Sequence, residues 1–176
     1  MRSPLKLSLS LAAVVASAAL VAAAPSAGVR HAGPPWISIE YPANPLDPAT
    51  RGAYLLVHAF HHQTPMESTV RGTAEGLVGG ERKSIALQFE STGRTGVYAL
   101  RKQWGDDGVW SLVISAGQGG GTPAQALVEL AADGGISSVR VPTTRQREWT
   151  IPRAITAQEV EQSLQSRATR TAQARR

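Results

Sequence analysis

Four side chains with the chemistry of copper ligands lie close together in the chain: His58, His61, His62 and Met66. Imidazole nitrogen and thioether sulfur form a donor set that suits copper. In an extended strand, however, His58 and His62 point to one side about 13 Å apart, while His61 and His62 point to opposite sides. A shared ion therefore requires the chain to bend after Phe60 and bring His61 or His62 towards Met66. Hydrated imidazoles at a strand end are the favoured interpretation, because the chain has no second ligand cluster.

Sequence signatures of catalysis are missing. The absence of cysteine excludes disulfides, thiolate zinc sites and cysteine nucleophiles. No Gly-x-Ser-x-Gly motif occurs, and the glycine-rich residues 117–121 include no lysine to hold phosphates. Asp106 and Asp107 alone would make a poor calcium site, and a polar hairpin tip is the favoured interpretation. We therefore predict that the protein is not an enzyme and needs no cofactor, with copper as the alternative.

Four tryptophans raise the question of a carbohydrate platform: Trp36, Trp104, Trp110 and Trp149. Trp110 has the strand parity of Leu112, which predicts a position in the core. Trp36 shares its parity with Ser38 and could be exposed. Because only 5% of the residues are aromatic, a sugar-binding face is the less favoured interpretation.

From Trp36 onward, apolar and polar residues alternate in short blocks separated by glycine and proline turns. This period of two is typical of antiparallel strands with one buried face. The blocks are residues 36–41, 53–61, 70–78, 84–90, 98–104, 109–116, 126–130 and 136–141. About seven or eight short strands favour an all-β protein with an immunoglobulin-like antiparallel β-sandwich, and a small closed barrel is the alternative.

Two pairs of neighbouring blocks are predicted to form hairpins. Residues 105–108, Gly-Asp-Asp-Gly, lie between 98–104 and 109–116, and Asp133-Gly134-Gly135 lies between 126–130 and 136–141. Glycine and aspartate readily adopt the positive φ angles that tight turns require. Each pair is therefore expected to be adjacent in one sheet.

A C-terminal helix is predicted to begin at Thr156. Thr156 and Glu159 have the spacing of a capping box, in which each side chain accepts a hydrogen bond from the other residue's backbone amide. Ile155 and Val160 occupy the two positions of a hydrophobic staple. Val160 and Leu164 begin an apolar stripe that is too narrow to stabilise an isolated helix.

The N-terminal segment has the pattern of an export signal. Arg2 and Lys6 precede the uncharged residues 7–24, and Val21-Ala22-Ala23 predicts cleavage after Ala23. An uncleaved membrane anchor is less favoured, because much of the stretch is alanine and serine. We therefore expect a periplasmic or secreted protein. The predicted organisation is a signal peptide 1–23, a flexible linker 24–35, the sandwich 36–143, a connecting segment 144–155 and a basic helix or tail 156–176.

Removal of Arg2 and Lys6 with the signal peptide lowers the formal charge from +5 to +3. The rest of the chain has no concentrated basic stripe with interleaved aromatic residues, so no nucleic-acid partner is expected. Arginines instead concentrate near the C-terminus: Arg167, Arg170, Arg175 and Arg176. This basic tail could contact an anionic membrane surface or an acidic protein face, and a solvated tail is an equally favoured alternative.

Four short motifs resemble those of the YtkA-like family of exported bacterial domains: Gly52-Ala53-Tyr54, Val70-Arg71-Gly72, Gly96-Val97-Tyr98 and Gly108-Val109-Trp110-Ser111-Leu112. The resemblance covers roughly residues 36–116. It implies an immunoglobulin-like sandwich without an established enzymatic activity, of a kind often encoded beside copper-handling or respiratory-assembly proteins.

The sequence thus favours a non-enzymatic binding or accessory domain that contacts another protein of the cell envelope. Exposed strand edges and the helical extension are the features expected to make this contact. A periplasmic copper-binding or copper-delivery protein that uses His61, His62 and Met66, with His58 as an outer ligand, is the alternative.

Overall fold

The structure is a computed structural model that describes residues 34–119 and 121–174. The predicted signal peptide 1–23, nearly all of the predicted linker, Arg175 and Arg176 lie outside the described residues. Among the residues that are described, no helix is long and apolar enough to cross a membrane.

The described part of the chain forms twelve strands, one short 3-10 helix (Pro48–Thr50) and one α-helix, α1 (Ala157–Ala174). The strands are β1 (Trp36–Glu40), β2 (Leu55–His61), β3 (Thr64–Pro65), β4 (Thr69–Val78), β5 (Glu81–Ala86), β6 (Phe89–Ser91), β7 (Val97–Leu100), β8 (Val109–Gly117), β9 (Ala124–Leu130), β10 (Ile136–Arg140), β11 (Thr143–Gln146) and β12 (Trp149–Pro152).

Two antiparallel sheets make up the body of the domain. The first has the order β1-β2-β7-β6, with β3 paired to the end of β2, and the second has the order β10-β9-β8-β4-β5. These orders match the A-B-E-D and G-F-C-C′ sheets of immunoglobulin-like domains, with β10 added beyond strand G. The predicted immunoglobulin-like sandwich with a C-terminal helix is therefore confirmed, although it has more strands than the sequence indicated.

The core lies between the two sheets. Leu55 and Val57 contribute to it from the first sheet, and Leu112 and Ile114 from the second. Trp110 is also buried there, as its parity predicted. The indole of Trp110 packs directly over Gly76 of β4, where a Cβ atom would lie only 2.6 Å from the ring.

Helix α1 packs on the outer face of the second sheet. Its start confirms the predicted capping box: the Glu159 amide donates to Thr156 Oγ1 at 3.2 Å, and the Thr156 amide donates to Glu159 Oε2 at 3.0 Å. Val160 and Leu164 are buried against Leu127 of β9. The narrow apolar stripe is therefore sufficient to stabilise the helix in the folded protein, because the sheet provides the apolar surface against which it packs.

The expectation that Arg167 lies on an exposed basic surface was wrong. Its side chain is only 6% exposed. The guanidinium donates to the carbonyl oxygens of Trp110, Leu130 and Ser163 at 2.8, 2.7 and 3.1 Å, and to Ser111 Oγ at 2.5 Å. Arg167 therefore attaches the helix to the sheet, whereas Arg170 is exposed.

A polar network surrounds Arg167. Ser111 Oγ and Ser163 Oγ lie 3.0 Å apart, and Ser138 Oγ donates to Glu129 Oε2 at 2.9 Å. Burial lowers the pKa of Arg167. Burial acts to raise the pKa of Glu129, but hydrogen bonding by serine hydroxyls and the nearby arginine charges outweigh it, so this pKa is lowered. The network thus satisfies the buried guanidinium by hydrogen bonds and by a nearby negative charge.

The predicted hairpin of residues 98–104 and 109–116 was wrong. Strand β7 pairs with β2 and β6 in the first sheet, whereas β8 pairs with β4 and β9 in the second. The connection between them crosses from one layer to the other, and Trp104 within it is buried in the core. Alternation identifies a buried face, but it does not identify the neighbouring strand. The second predicted hairpin, β9 with β10, is confirmed.

Two further differences concern strand boundaries. The single strand predicted over residues 84–90 is divided at Leu87 into β5 and β6, which belong to different sheets. The segment 144–155, predicted as a connection, contains most of a separate hairpin formed by β11 and β12. This hairpin is largely exposed, so it lacks the apolar alternation that marked the other strands.

Candidate binding groove

A strained two-residue turn joins β2 to β3. His61 pairs with Thr64, and both intervening residues have left-handed backbones, with φ of 48° at His62 and 64° at Gln63. Such a turn ordinarily contains glycine or asparagine, because each larger residue with a positive φ costs roughly 1–3 kcal/mol. His62 and Gln63 thus place an imidazole and a carboxamide at two positions where the backbone conformation alone would favour Asn-Gly.

This turn places the predicted metal ligands in two groups. The His61 and His62 rings are perpendicular, with centroids 4.3 Å apart. Met66 pairs across from Ala59 through a 3.0 Å backbone hydrogen bond, so it lies on the same face as the buried His61. His58 lies on the opposite face, where its Nε2 is 2.8 Å from Glu40 Oε2 and its ring stacks on Phe60.

The chain thus turns back after His61, with the His61 and His62 rings in contact, Met66 on the His61 face and His58 on the opposite face. Within residues 34–119 and 121–174, no group of three or more histidine, aspartate and glutamate side chains is placed to hold a metal ion. A metal site at this turn would need the thioether of Met66 as well as the two imidazoles.

An open groove of about 900 Å³ lies beside the same turn. Residues from three parts of the chain line it: Pro34, Trp36, Phe60, His62, Gln63, Gln146, Trp149, Thr150 and Ile151. Its size falls within the usual range for ligand sites in proteins. We refer to this cavity as the aromatic groove.

One wall of the aromatic groove belongs to the first sheet. Trp36 of β1 is the cross-strand partner of Phe60 of β2. Their neighbours Ile37 and Ala59 point into the core, so Trp36 and Phe60 share the outer face of the sheet. The strand pairing thus fixes two large rings side by side, and Trp36 is half-buried.

The β11–β12 hairpin forms the other wall. Trp149 is paired with Gln146, and Ile151 lies on the same face as Trp149 because side chains alternate along a strand. The Trp149 side chain is 72% exposed. A large indole held in solvent beside a concave apolar surface is typical of a contact site for another molecule.

The groove is poor in charged residue types. Among the lining residues that the structure describes, there is no aspartate, glutamate, lysine or arginine. Its polar groups are the His62 imidazole, the Gln63 and Gln146 amides and the Thr150 hydroxyl. A lining of this kind favours an uncharged ligand, because a charged one would lose water without gaining an opposite charge.

A second cavity, of about 670 Å³, differs from the aromatic groove in being lined by charged side chains, which include Lys102, Asp106, Asp133 and Arg170. Lys102 forms an ion pair with Asp106. Because Lys102 already neutralises the Asp106 carboxylate, this cavity is a weaker candidate for a ligand site than the aromatic groove.

No protein-family model, curated protein or solved structure matches this chain. The resemblance to the YtkA-like family therefore stays a prediction, and the function has to be argued from the geometry of the site.

Half of the groove was not predicted from the sequence. Trp149 drew attention only as one of four tryptophans, and the segment around it was predicted to be a connection. A signal was present: Thr143-Thr144 and Trp149-Thr150-Ile151 are rich in strand-forming residues and flank a short charged segment. The approach of this hairpin to Trp36 is a long-range contact that no local pattern indicates.

Proposed function

We propose that this protein is a non-enzymatic binding domain of the cell envelope that contacts another envelope protein through the aromatic groove. The observation that carries the proposal is the exposed Trp149 across a cavity from Trp36 and Phe60, where the described lining includes no aspartate, glutamate, lysine or arginine. Tryptophans of this kind contribute a large share of the energy in protein contacts, because they bury much apolar area with few torsions to restrict.

The chemistry of the groove supports binding more than catalysis. Among the described residues that line it, none is a carboxylate that could act as a general acid or base. The export signal predicted over residues 1–23 supports a location in the periplasm or outside the cell, where the partner would be an envelope protein.

The role of the basic tail is reduced in this proposal. Arg167 is committed to the fold, and only the exposed Arg170 of the described arginines in α1 projects into solvent. Contact of the tail with an anionic membrane surface stays a prediction that concerns Arg170 together with Arg175 and Arg176.

The test is affinity capture from an extract of cell-envelope proteins. Wild-type protein should retain a partner that Trp149→Ala loses, because this change removes most of one wall of the groove. Leu46→Ala is the matched control, since Leu46 is 85% exposed and does not line the groove. Identical captured proteins for wild type and Trp149→Ala would contradict the proposal.

Copper binding is a second candidate, favoured by the contact between the His61 and His62 rings and by the position of Met66 on the His61 face. Titration with Cu(I) and Cu(II) tests it. His61→Ala and His62→Ala should weaken binding, while His58→Ala on the opposite face should not. Equally weak binding by all four proteins would exclude the site.

A further inference from the structure

We propose that the ligand of the aromatic groove is an uncharged, proline-containing segment of the partner in the polyproline II conformation. This inference rests on the proposed function, since it specifies which part of a partner protein enters the groove.

The shape and composition of the walls suit a polyproline II segment. The flat rings of Trp36 and Phe60 lie on one side, and Trp149 and Ile151 lie on the other. Proline rings pack well on such aromatic surfaces, and aromatic-lined grooves are a recurring means of binding polyproline II segments. The ligand is already extended before it binds, so little conformational entropy is lost.

The hydrogen-bonding groups of the groove match those of such a segment. The side chains of Trp36, Trp149, Gln63 and Gln146 make no hydrogen bond with any residue that the structure describes. Each carries N–H donors, and the indoles are donors only. A polyproline II segment offers carbonyl acceptors along its whole length, because it has no internal hydrogen bonds and its prolines have no N–H.

The charge of the lining also matters. The described lining residues include no aspartate, glutamate, lysine or arginine, so acidic or basic residues of a partner would be desolvated there without an opposite charge from these types. Proline, alanine and other uncharged residues avoid this penalty. The same lining fits a neutral oligosaccharide, but the many hydroxyls of a sugar would need more partners than the four polar side chains and two indole N–H groups of the described lining provide.

The turn at His62 and Gln63 is formed in advance of binding. Its two left-handed residues are held by the pairing of His61 with Thr64 and of Phe60 with Pro65, so the turn is fixed before any ligand arrives. Backbone strain that the surrounding structure maintains is often found at binding sites. Here the strained turn places the side chains of His62 and Gln63 at the rim of the groove, and an Asn-Gly turn would supply neither of them.

The experiment uses the mature chain and a ten-residue oligoproline with an uncharged fluorophore, followed by fluorescence anisotropy. We expect saturable binding, weakened at least about tenfold by Trp149→Ala. Gln146→Ala, a smaller change on the same face of the hairpin, should weaken it as well. Leu46→Ala should bind as wild type does, and a Gly-Ser peptide of equal length should not bind.

Several outcomes would overturn the inference. One is oligoproline binding no stronger than that of the Gly-Ser peptide, and another is binding that both Trp149→Ala and Gln146→Ala leave unchanged. Binding of a neutral hexasaccharide instead of oligoproline, with the same dependence on Trp149, would identify a glycan site.

The outcomes also separate this inference from the function on which it rests. If Trp149→Ala abolishes capture of the envelope partner while oligoproline fails to bind wild type, the groove is the contact site and only its ligand class is wrong. If neither capture nor oligoproline binding depends on Trp149, both proposals fail.

Discussion

Replacement of Arg167 by alanine tests how the helix is attached to the sandwich. The guanidinium is the donor for the Trp110 and Leu130 carbonyl oxygens, at 2.8 and 2.7 Å, and for Ser111 Oγ. A buried polar group left unpaired costs roughly 1–3 kcal/mol. Glu129, whose charge acts on Arg167, is only half-buried, so the larger penalty of a fully buried ion pair does not apply, and we expect a loss of about 1–3 kcal/mol in the free energy of unfolding.

Such a loss is a large fraction of the total stability of about 5–15 kcal/mol that a domain of this kind has. Urea denaturation followed by circular dichroism measures it. Arg167→Lys should recover part of the loss, because lysine keeps the charge but lacks the planar fork of donors. Arg170→Ala is the matched control, since Arg170 is exposed on the same helix and its removal should change stability by less than about 0.5 kcal/mol.

A loss below about 1 kcal/mol for Arg167→Ala would refute the reasoning. It would mean that water or a rearranged side chain satisfies the abandoned carbonyls as well as the guanidinium does. The helix would then be held by Val160 and Leu164 alone, and the polar network would contribute nothing net to stability.

Three further predictions concern pH, packing and strain. Hydrogen bonds from Arg153 lower the pKa of Glu159 from 4.5 to about 2. The contribution of this carboxylate to stability is therefore present above pH 4.5 and is lost as the pH falls towards 2. Glu159→Gln should flatten this part of the curve when the unfolding midpoint is plotted against pH. Gly76→Ala should destabilise by about 1–3 kcal/mol in urea denaturation, because the new methyl group overlaps the Trp110 ring. Gln63→Gly should stabilise by about 1 kcal/mol through relief of the positive φ, and it should weaken oligoproline binding.

Each of these has its own control. An equal acid dependence in wild type and Glu159→Gln would contradict the role of the Arg153 pair. Gly121→Ala, at an open position, should be tolerated, so a similar loss at both glycines would argue against the contact with Trp110. Gln63→Ala removes the amide but keeps the strained backbone, and stabilisation by alanine as large as by glycine would contradict the strain argument.

Local patterns were sufficient to predict the elements that depend on neighbouring residues. The capping box of Thr156 and Glu159 is formed by residues three apart, so its spacing alone indicated where the helix starts. Likewise the turn at Asp133-Gly134-Gly135 correctly joined β9 and β10, because a short loop leaves two strands little choice but to pair.

Longer connections could not be predicted in this way. The link from β7 to β8 resembles a hairpin loop in its residues 105–108, yet it crosses between sheets. What decides its course is the burial of Trp104 at the core and the pairing of β8 with β4, a strand that lies about thirty residues earlier in the chain. No local sequence pattern predicts either contact.

The sequence by itself determined the fold class and the start of the helix, since each depends on side-chain alternation or on groups a few residues apart, whereas the export signal of residues 1–23 stays a prediction. Only the tertiary structure decided the candidate site, for Trp36 and Trp149 are separated by most of the domain in sequence. It also decided that Arg167 is a buried anchor, although its charge suggested a solvent-facing tail. The physical reason is the same in both cases: burial and long-range proximity depend on what the folded chain places opposite a residue, and residue type alone does not specify that partner.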